Sequence, residues 1–250
     1  MAMSTSRKML VAIHGAGMNA AAWGGMAPHL LDHAFRPVSL PGHDPKAGGE
    51  LIPTISGMAD WVKQRLSGTQ ADSVILVGHS MGALVALAAA SDPSVAGVVL
   101  MGTAARMPVN SDLLKTAQEQ PNEAIGMLIK WGVDPAHPQV GAVRTVLGSI
   151  MHAVDPKAVA NDLAACNSFT EGEDLAKKTA KPALVISAQH DKLTKAADGE
   201  KLAALLPRAH YHMLTDCGHM MMIERPIETA HEIKDFIDSL GRGEVAPTGS

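Results

Sequence analysis

The chain has 250 residues, 46% of them hydrophobic and 18% charged, with a formal net charge of −4. That size and balance fit one soluble globular domain with room for an insertion, and the weak negative charge gives no reason to expect nucleic acid or an anionic membrane as partner. The two cysteines, Cys166 and Cys217, are too few for a disulfide framework, so a reduced, cytoplasmic setting is expected.

The first apolar run, KMLVAI at 8–13, reads as a strand. It breaks at His14 and Gly15, too early for a signal-peptide core, and no window approaches about 18 apolar residues, so no membrane span is expected. A glycine-rich loop, HGAGMNAAAW, follows at 14–23. It is not a dinucleotide fingerprint by spacing, because Ala20 stands where a third glycine would fall, although alanine is tolerated there in some proteins. A second strand is predicted at RPVSL, 36–40. In TISGMADWVKQRLS, Ile55, Met58, Ala59, Val62 and Leu66 share one helical face.

The strand SVILVG, 73–78, runs into GHSMG and then into the alanine- and leucine-rich helix ALVALAAA. Another strand, GVVLMG, covers 97–102. From about 105 to 180 no strand is apparent. Helical pieces SDLLKTAQEQ, EAIGMLIKWG, AVRTVLGSIMHAV and PKAVANDLAACNSF occur instead, cut by Pro108, Pro121, Pro135, Pro138 and Pro156. Strands resume at PALVISA, 182–188, and AHYHML, 209–214. A final amphipathic helix, PIETAHEIKDFIDSLG, would bury Ile227, Ala230, Ile233, Ile237 and Leu240, opening at Pro226 and stopping at Gly241.

Continuously apolar strands separated by helices imply a doubly wound α/β fold with a mostly parallel sheet. The expected division is a core of 1–104 and 181–241, a helical cap of 105–180 and a flexible tail of 242–250.

Chemistry concentrates at Ser80. G-x-S-x-G between a strand and a helix is the pattern of a nucleophile elbow. Gly78 and Gly82 keep side chains out of a tight corner, and the hydroxyl stands above the carboxyl ends of the strands. The helix N-terminus that begins there makes the Met81 N–H an oxyanion donor candidate. The loop at 14–23 would supply the second, with Ala16 favoured over its neighbours Gly15 and Gly17. A serine needs a base, and the base an orienting acid. Asp191 stands just beyond PALVISA and His219 just beyond AHYHML, so both emerge at the edge where Ser80 lies.

Other residues fit less well. Asp216 precedes the His219 turn, and Asp198 reads as helical. Thr103 occupies a place where a rare alternative acid could sit. Cys217 reads as a small buried residue, and His79 as packed. His210 and His212 alternate on a strand without a third metal ligand. No metal or cofactor is expected. Met107, Met127, Trp131, Met151 and Met220 are candidate substrate contacts for a small apolar acyl or alkyl group. No run of Arg or Lys suggests a phosphate or coenzyme A clamp.

Together HGAGMNAAAW, SLPGH at 39–43, VGHSMGALVALAAA, SAQHDKLT and CGHMMMIERP resemble the α/β-hydrolase superfamily over about residues 8–240, in particular small esterases, enol-lactone hydrolases and carrier-protein esterases with a helical cap. The resemblance implies Ser80 as nucleophile, Asp191 as acid, His219 as base, and Ala16 and Met81 as oxyanion donors. It implies a serine hydrolase that cleaves small carboxylic esters through an acyl-enzyme. A C–C hydrolase, lyase or perhydrolase using the same triad, and a non-catalytic binding homologue, are the alternatives. Two departures stand out. The family's opening antiparallel strand pair has no counterpart before residue 8, which leaves about six parallel strands, and GHDPKAGG replaces the family's G-H-G loop. A serine in place of an aspartate nucleophile argues against dehalogenase and epoxide hydrolase chemistry. Oligomeric state is not legible.

Overall fold

The computed structural model describes residues 8–44, 46–70 and 72–242. The expected flexible tail lies outside the described residues apart from Arg242.

Six strands form one sheet: β1 (Met9–Ile13), β2 (Ala34–Val38), β3 (Val74–His79), β4 (Val95–Met101), β5 (Ala183–Ala188) and β6 (Ala209–Leu214). Their order is β2-β1-β3-β4-β5-β6, and every neighbouring pair is parallel. This is the expected α/β fold with six parallel strands. β3 and β5 are buried at every position, which explains their unbroken apolar sequences.

The edge strands are half-exposed and weaker in pattern. The second strand is Ala34–Val38, two residues ahead of the expected RPVSL. At an edge only one neighbour fixes the register, and Pro37 is tolerated because its missing N–H faces no second partner.

α1 (Ile55–Leu66) starts where Thr54 Oγ1 accepts the Gly57 N–H at 3.1 Å, and it buries the five residues predicted. α2 (Met81–Ala89) packs under the sheet with only Ala88 less than buried. Between β4 and β5 lie α3 (Ser111–Glu119), α4 (Pro121–Gly132), α5 (Val140–Met151), α6 (Lys157–Ser168) and α7 (Gly172–Lys178). Pro121 opens α4, as a first-turn proline does. α7 was not anticipated; it packs so closely on the chain that a Cβ at Gly172 would overlap the Ala105 carbonyl.

α8 (Ala196–Leu205) joins β5 to β6, and α9 (Met221–Glu224) and α10 (Pro226–Arg242) close the chain. Three details of α10 differ from expectation, the first being that Leu240 is only partly buried. Ile227 is 47% exposed, because Thr229 takes the inward place of the first turn, its hydroxyl donating to the Arg225 carbonyl at 2.6 Å with the Met221 carbonyl at 3.1 Å. The helix also runs through Gly241, whose cost of about 1 kcal/mol does not by itself end a helix.

Alternation along the strands divides the core. Val11, Ile13, Leu76, Val98 and Val185 face α1, α2 and α8. Leu10, Ala12, Val77, Val99 and Ile186 face the other way, and that layer continues into Leu113, Leu128, Leu147, Met151 and Leu163 of the inserted helices. No helix among the described residues is long and apolar enough to cross a membrane.

Candidate active site

Ser80 follows β3 directly, with φ 54° and ψ −118°. A non-glycine residue there carries strain of about 1–3 kcal/mol, and the surroundings must hold it. They do. The Ser80 N–H donates to the Met101 carbonyl at 2.8 Å, and its carbonyl accepts the Ala83 N–H at 2.9 Å. A Cβ at Gly78 would overlap the Gly82 carbonyl, and one at Gly82 would overlap that of Ile13. The turn therefore nests against both α2 and the end of β1.

Asp191 and His219 come together as the strand ends predict. The His219 Nδ1–H donates to Asp191 Oδ2 at 2.7 Å, with both side chains nearly inaccessible. That tautomer leaves Nε2 with a free lone pair. Asp191 Oδ1 accepts the Leu193 and Thr194 N–H groups, each at 2.8 Å, and Oδ2 accepts the Thr194 hydroxyl at 2.8 Å. Burial pushes the Asp191 carboxyl up. The charge and hydrogen bond of His219, with the Thr194 bonds, outweigh that and hold it below the usual carboxylate range.

The histidine turn has its own support. Glu224 is buried and accepts N–H groups from both neighbours of His219: Gly218 at 3.0 Å and Met220 at 3.1 Å. It also takes that of Asp134 at 2.9 Å. Burial pushes its carboxyl above the ordinary range against the pull of these donors. Gly102, at φ 55°, lets the backbone after β4 back onto the His219 ring; a Cβ there would sit 3.2 Å from Nδ1. His79 is fully buried and donates from Nε2 to the His219 carbonyl at 2.9 Å. Burial, with the charge of His219, lowers it to about 3, so it stays neutral.

The 14–23 loop lies across Ser80. A Cβ at Gly15 would be 3.2 Å from the Ser80 Cβ. His14 is neutral, lowered to about 4 by burial and by His43, and it staples two loops: Nδ1 donates to the Gly15 carbonyl at 2.9 Å and Nε2 accepts the Leu40 N–H at 3.1 Å.

A cavity of about 420 Å³ opens at these residues. Ala16, Ser80 and His219 line it, as do Met107, Trp131, Met151 and Met220. Met127 does not reach it. The inward positions of α4 are Ala124, Ile125 and Leu128, so Leu128 lines the wall where Met127 was expected. The basic residues scattered in sequence also converge, since Arg106, Lys192 and Lys195 share the cavity rim with Asp198.

Thr194, Glu224, His14, His43 and Asp162 escaped the sequence reading. Thr194 was the most accessible of them, since a Thr three residues after an acid in a turn is placed to bond it. Asp162 and His43 lie 119 positions apart, and no local pattern connects them. Cys217 is buried and its thiol is pushed up by burial, as a packing residue. His212 instead pairs with Glu232 at 3.2 Å, and His210 stacks its ring edge on Phe236. No metal-competent group of three His, Cys, Asp or Glu occurs among the described residues.

Similar proteins share this architecture. The chain is 23% identical to a pimeloyl-[acyl-carrier protein] methyl ester esterase of Xanthomonas axonopodis pv. citri (strain 306), over 92% of this chain and 95% of that one. A thermophilic esterase from Thermogutta terrifontis superposes with TM-score 0.82 at 21% identity, over 94% of this chain and 91% of that one. The enol-lactonase from Burkholderia xenovorans LB400 gives TM-score 0.82 at 22% identity, over 93% and 92%. At such identities the structural likeness speaks to the fold. The family model of the alpha/beta hydrolase family matches residues 10–232, from β1 into α10, and by that match the chain belongs to this family.

Proposed function

We propose that the protein is a serine esterase acting on small carboxylic esters, with Ser80 as nucleophile, His219 as base and Asp191 as its orienting acid. One observation carries the reading: a buried 2.7 Å Asp191–His219 pair faces the same cavity as a serine held at a strained corner. The esterase relatives add weight to it.

In the first step the Ser80 hydroxyl adds to the ester carbonyl while its proton passes to His219 Nε2. The carbonyl electrons move onto oxygen, where the Met81 and Ala16 N–H groups receive them. Collapse expels the alcohol, which takes the proton from His219 and leaves an acyl-Ser80. Water then adds to the acyl carbon, giving its proton to His219, and the carboxylic acid departs as Ser80 regains a proton. Asp191 fixes the imidazole tautomer and stabilises its cation throughout.

The inserted helices are the proposed cap. Leu113, Leu128, Trp131, Met151 and Leu163 give the cavity an apolar wall suited to a short acyl or alkyl group.

Ser80→Ala should lower nitrophenyl ester turnover roughly 10⁶-fold. A near-wild-type rate in that variant would overturn the assignment. Stoichiometric labelling of Ser80 by a fluorophosphonate, alongside many turnovers per site, separates an enzyme from a binding homologue.

A further inference from the structure

Asp162, in the middle of α6, is fully buried and makes bonds that the acyl-transfer scheme does not use. Its Oδ2 accepts the Gly17 N–H at 2.8 Å and faces His43 Nε2 at 2.8 Å. Its Oδ1 accepts from Asn161 Nδ2 at 3.1 Å, and the same amide also reaches the Ile52 carbonyl. The other His43 nitrogen, Nδ1, lies 3.0 Å from the Pro41 carbonyl. Both ring nitrogens therefore point at acceptors, which describes an imidazolium against a carboxylate.

Two titratable neighbours, His14 and Cys166, add no second cation. The His14 ring is 4.8 Å from that of His43 and neutral, and Cys166 is a buried thiol. Burial works to lower His43, but the hydrogen bond and charge of Asp162 outweigh it and raise its affinity for the proton. A buried ion pair is a poor way to gain stability compared with packed apolar side chains. Its location gives it another use.

Gly17 is the residue after Ala16. It sits at φ +66°, with Met151 of α5 and Val159 of α6 packed 3.2–3.4 Å from where a Cβ would be. Gly15, on the other side of Ala16, is pressed against Ser80 and His79. The Ala16 N–H, on the Gly15–Ala16 peptide, is thus flanked by two fixed points: Gly15 against the core, and the next peptide, whose Gly17 N–H is held by Asp162 of the inserted helices.

We infer that Asp162 is a positioning residue for the oxyanion site: with His43 as its counter-charge, it holds the Gly17 N–H and so aims the Ala16 N–H, making that site depend on the helical insertion. This rests on the reading of Ala16 as an oxyanion donor. Loss of one such donor costs roughly 10²–10³ in kcat, so a donor left in place but poorly aimed should cost less.

Asp162→Asn offers a single oxygen where two now accept, and it removes the charge that raises the affinity of His43 for its proton. It should lower kcat on a nitrophenyl ester about 10–100-fold and leave KM within about threefold. Binding of a trifluoromethyl ketone, which adds to the serine and places an oxyanion in the site, should weaken by the factor lost in kcat. Binding of the matching alcohol should not change. A general loss of structure would not separate these readouts.

Ser80→Ala is run beside it. An inactive Ser80→Ala with wild-type kcat and ketone binding in Asp162→Asn overturns the positioning role and leaves the esterase reading standing. An active Ser80→Ala overturns that reading, and the inference falls with it. Should Asp162→Asn fail to fold, His43→Gln and wild-type NMR carry the test. His43→Gln should show the same kcat-only loss. In the wild type at pH 6, below the ordinary histidine value, both His43 nitrogens should be protonated and the Gly17 amide protected from exchange. A neutral His43 ring or a freely exchanging Gly17 amide overturns the inference.

Discussion

Ser80 spends conformational strain that its neighbours must return, and the two flanking glycines decide whether they can. At Gly82 the obstacle to a side chain is the backbone of β1, which cannot rotate aside. Gly82→Ala should therefore destabilise by about 3 kcal/mol or more in urea unfolding. Gly126, inside α4, has nothing within 4 Å of a Cβ, and Gly126→Ala should stabilise by about 0.5–1 kcal/mol in the same assay. An unchanged Gly82→Ala protein would mean that the elbow is not packed as described. The sequence distinguished Gly82 through its spacing to Ser80. Asp191 and His219 were legible for a related reason, each being the chemically apt residue just past a strand end. Thr194, Glu224 and Asp162 were not, because what selects them is a partner brought near only by folding.

At the scale of elements, strand boundaries did not follow burial: half-exposed β6 matched its expected 209–214, whereas the mostly buried β4 begins two residues before the expected 97. β3 and β5, covered on both faces, announced themselves as apolar runs, whereas the edge strand β2 was displaced by two residues. Four of the five helices in the insertion, α3 to α6 but not α7, were legible from periodicity and prolines. Which helix faces reach the cavity was not, since Met127 and Leu128 are adjacent and only packing chooses between them.

The cavity wall is itself a property of several elements, because α3, α4, α5 and α6 each contribute side chains to it. On the proposed esterase reading, the apolar wall formed by these helices limits the acyl group. Nitrophenyl esters should be hydrolysed faster when short, and Met151→Ala should move the optimum toward longer chains. A wild-type optimum beyond dodecanoate would contradict a cavity of about 420 Å³ as the acyl site.

The whole molecule carries its acid sensitivity in buried histidines. His14 and His79 are held neutral in the fold, at about 4 and about 3, but return to about 6.5 on unfolding. Between pH 6.5 and about 4 the unfolded chain binds more protons, so stability falls as pH falls. Near pH 5 each histidine contributes roughly 1 kcal/mol per pH unit. The Asp191 contribution is lost only lower, as pH drops below the usual carboxylate value toward its depressed one. His43 acts oppositely. Its folded value is raised, so its contribution is complete below 6.5 and fades as pH climbs from there through the raised value. Urea midpoints should therefore decline on both sides of an optimum. A flat profile between pH 6.5 and 4.5 would show that His14 and His79 are not held neutral.

β4 and β5 are hydrogen-bonded neighbours, yet residues 102–182 separate them. The chain leaves one strand and re-enters the next without disturbing a rung of the ladder, so that stretch is a natural unit of exchange between homologues. Its packing sets the terms of exchange. A transplanted insertion brings its own wall to the cavity, but α6 arrives with a buried carboxylate that needs the recipient's His43 loop and an amide like that of Gly17. Recombination that ignored this would join two sound halves around an unmatched charge, and compatibility would follow the Asp162–His43 pair rather than overall sequence identity.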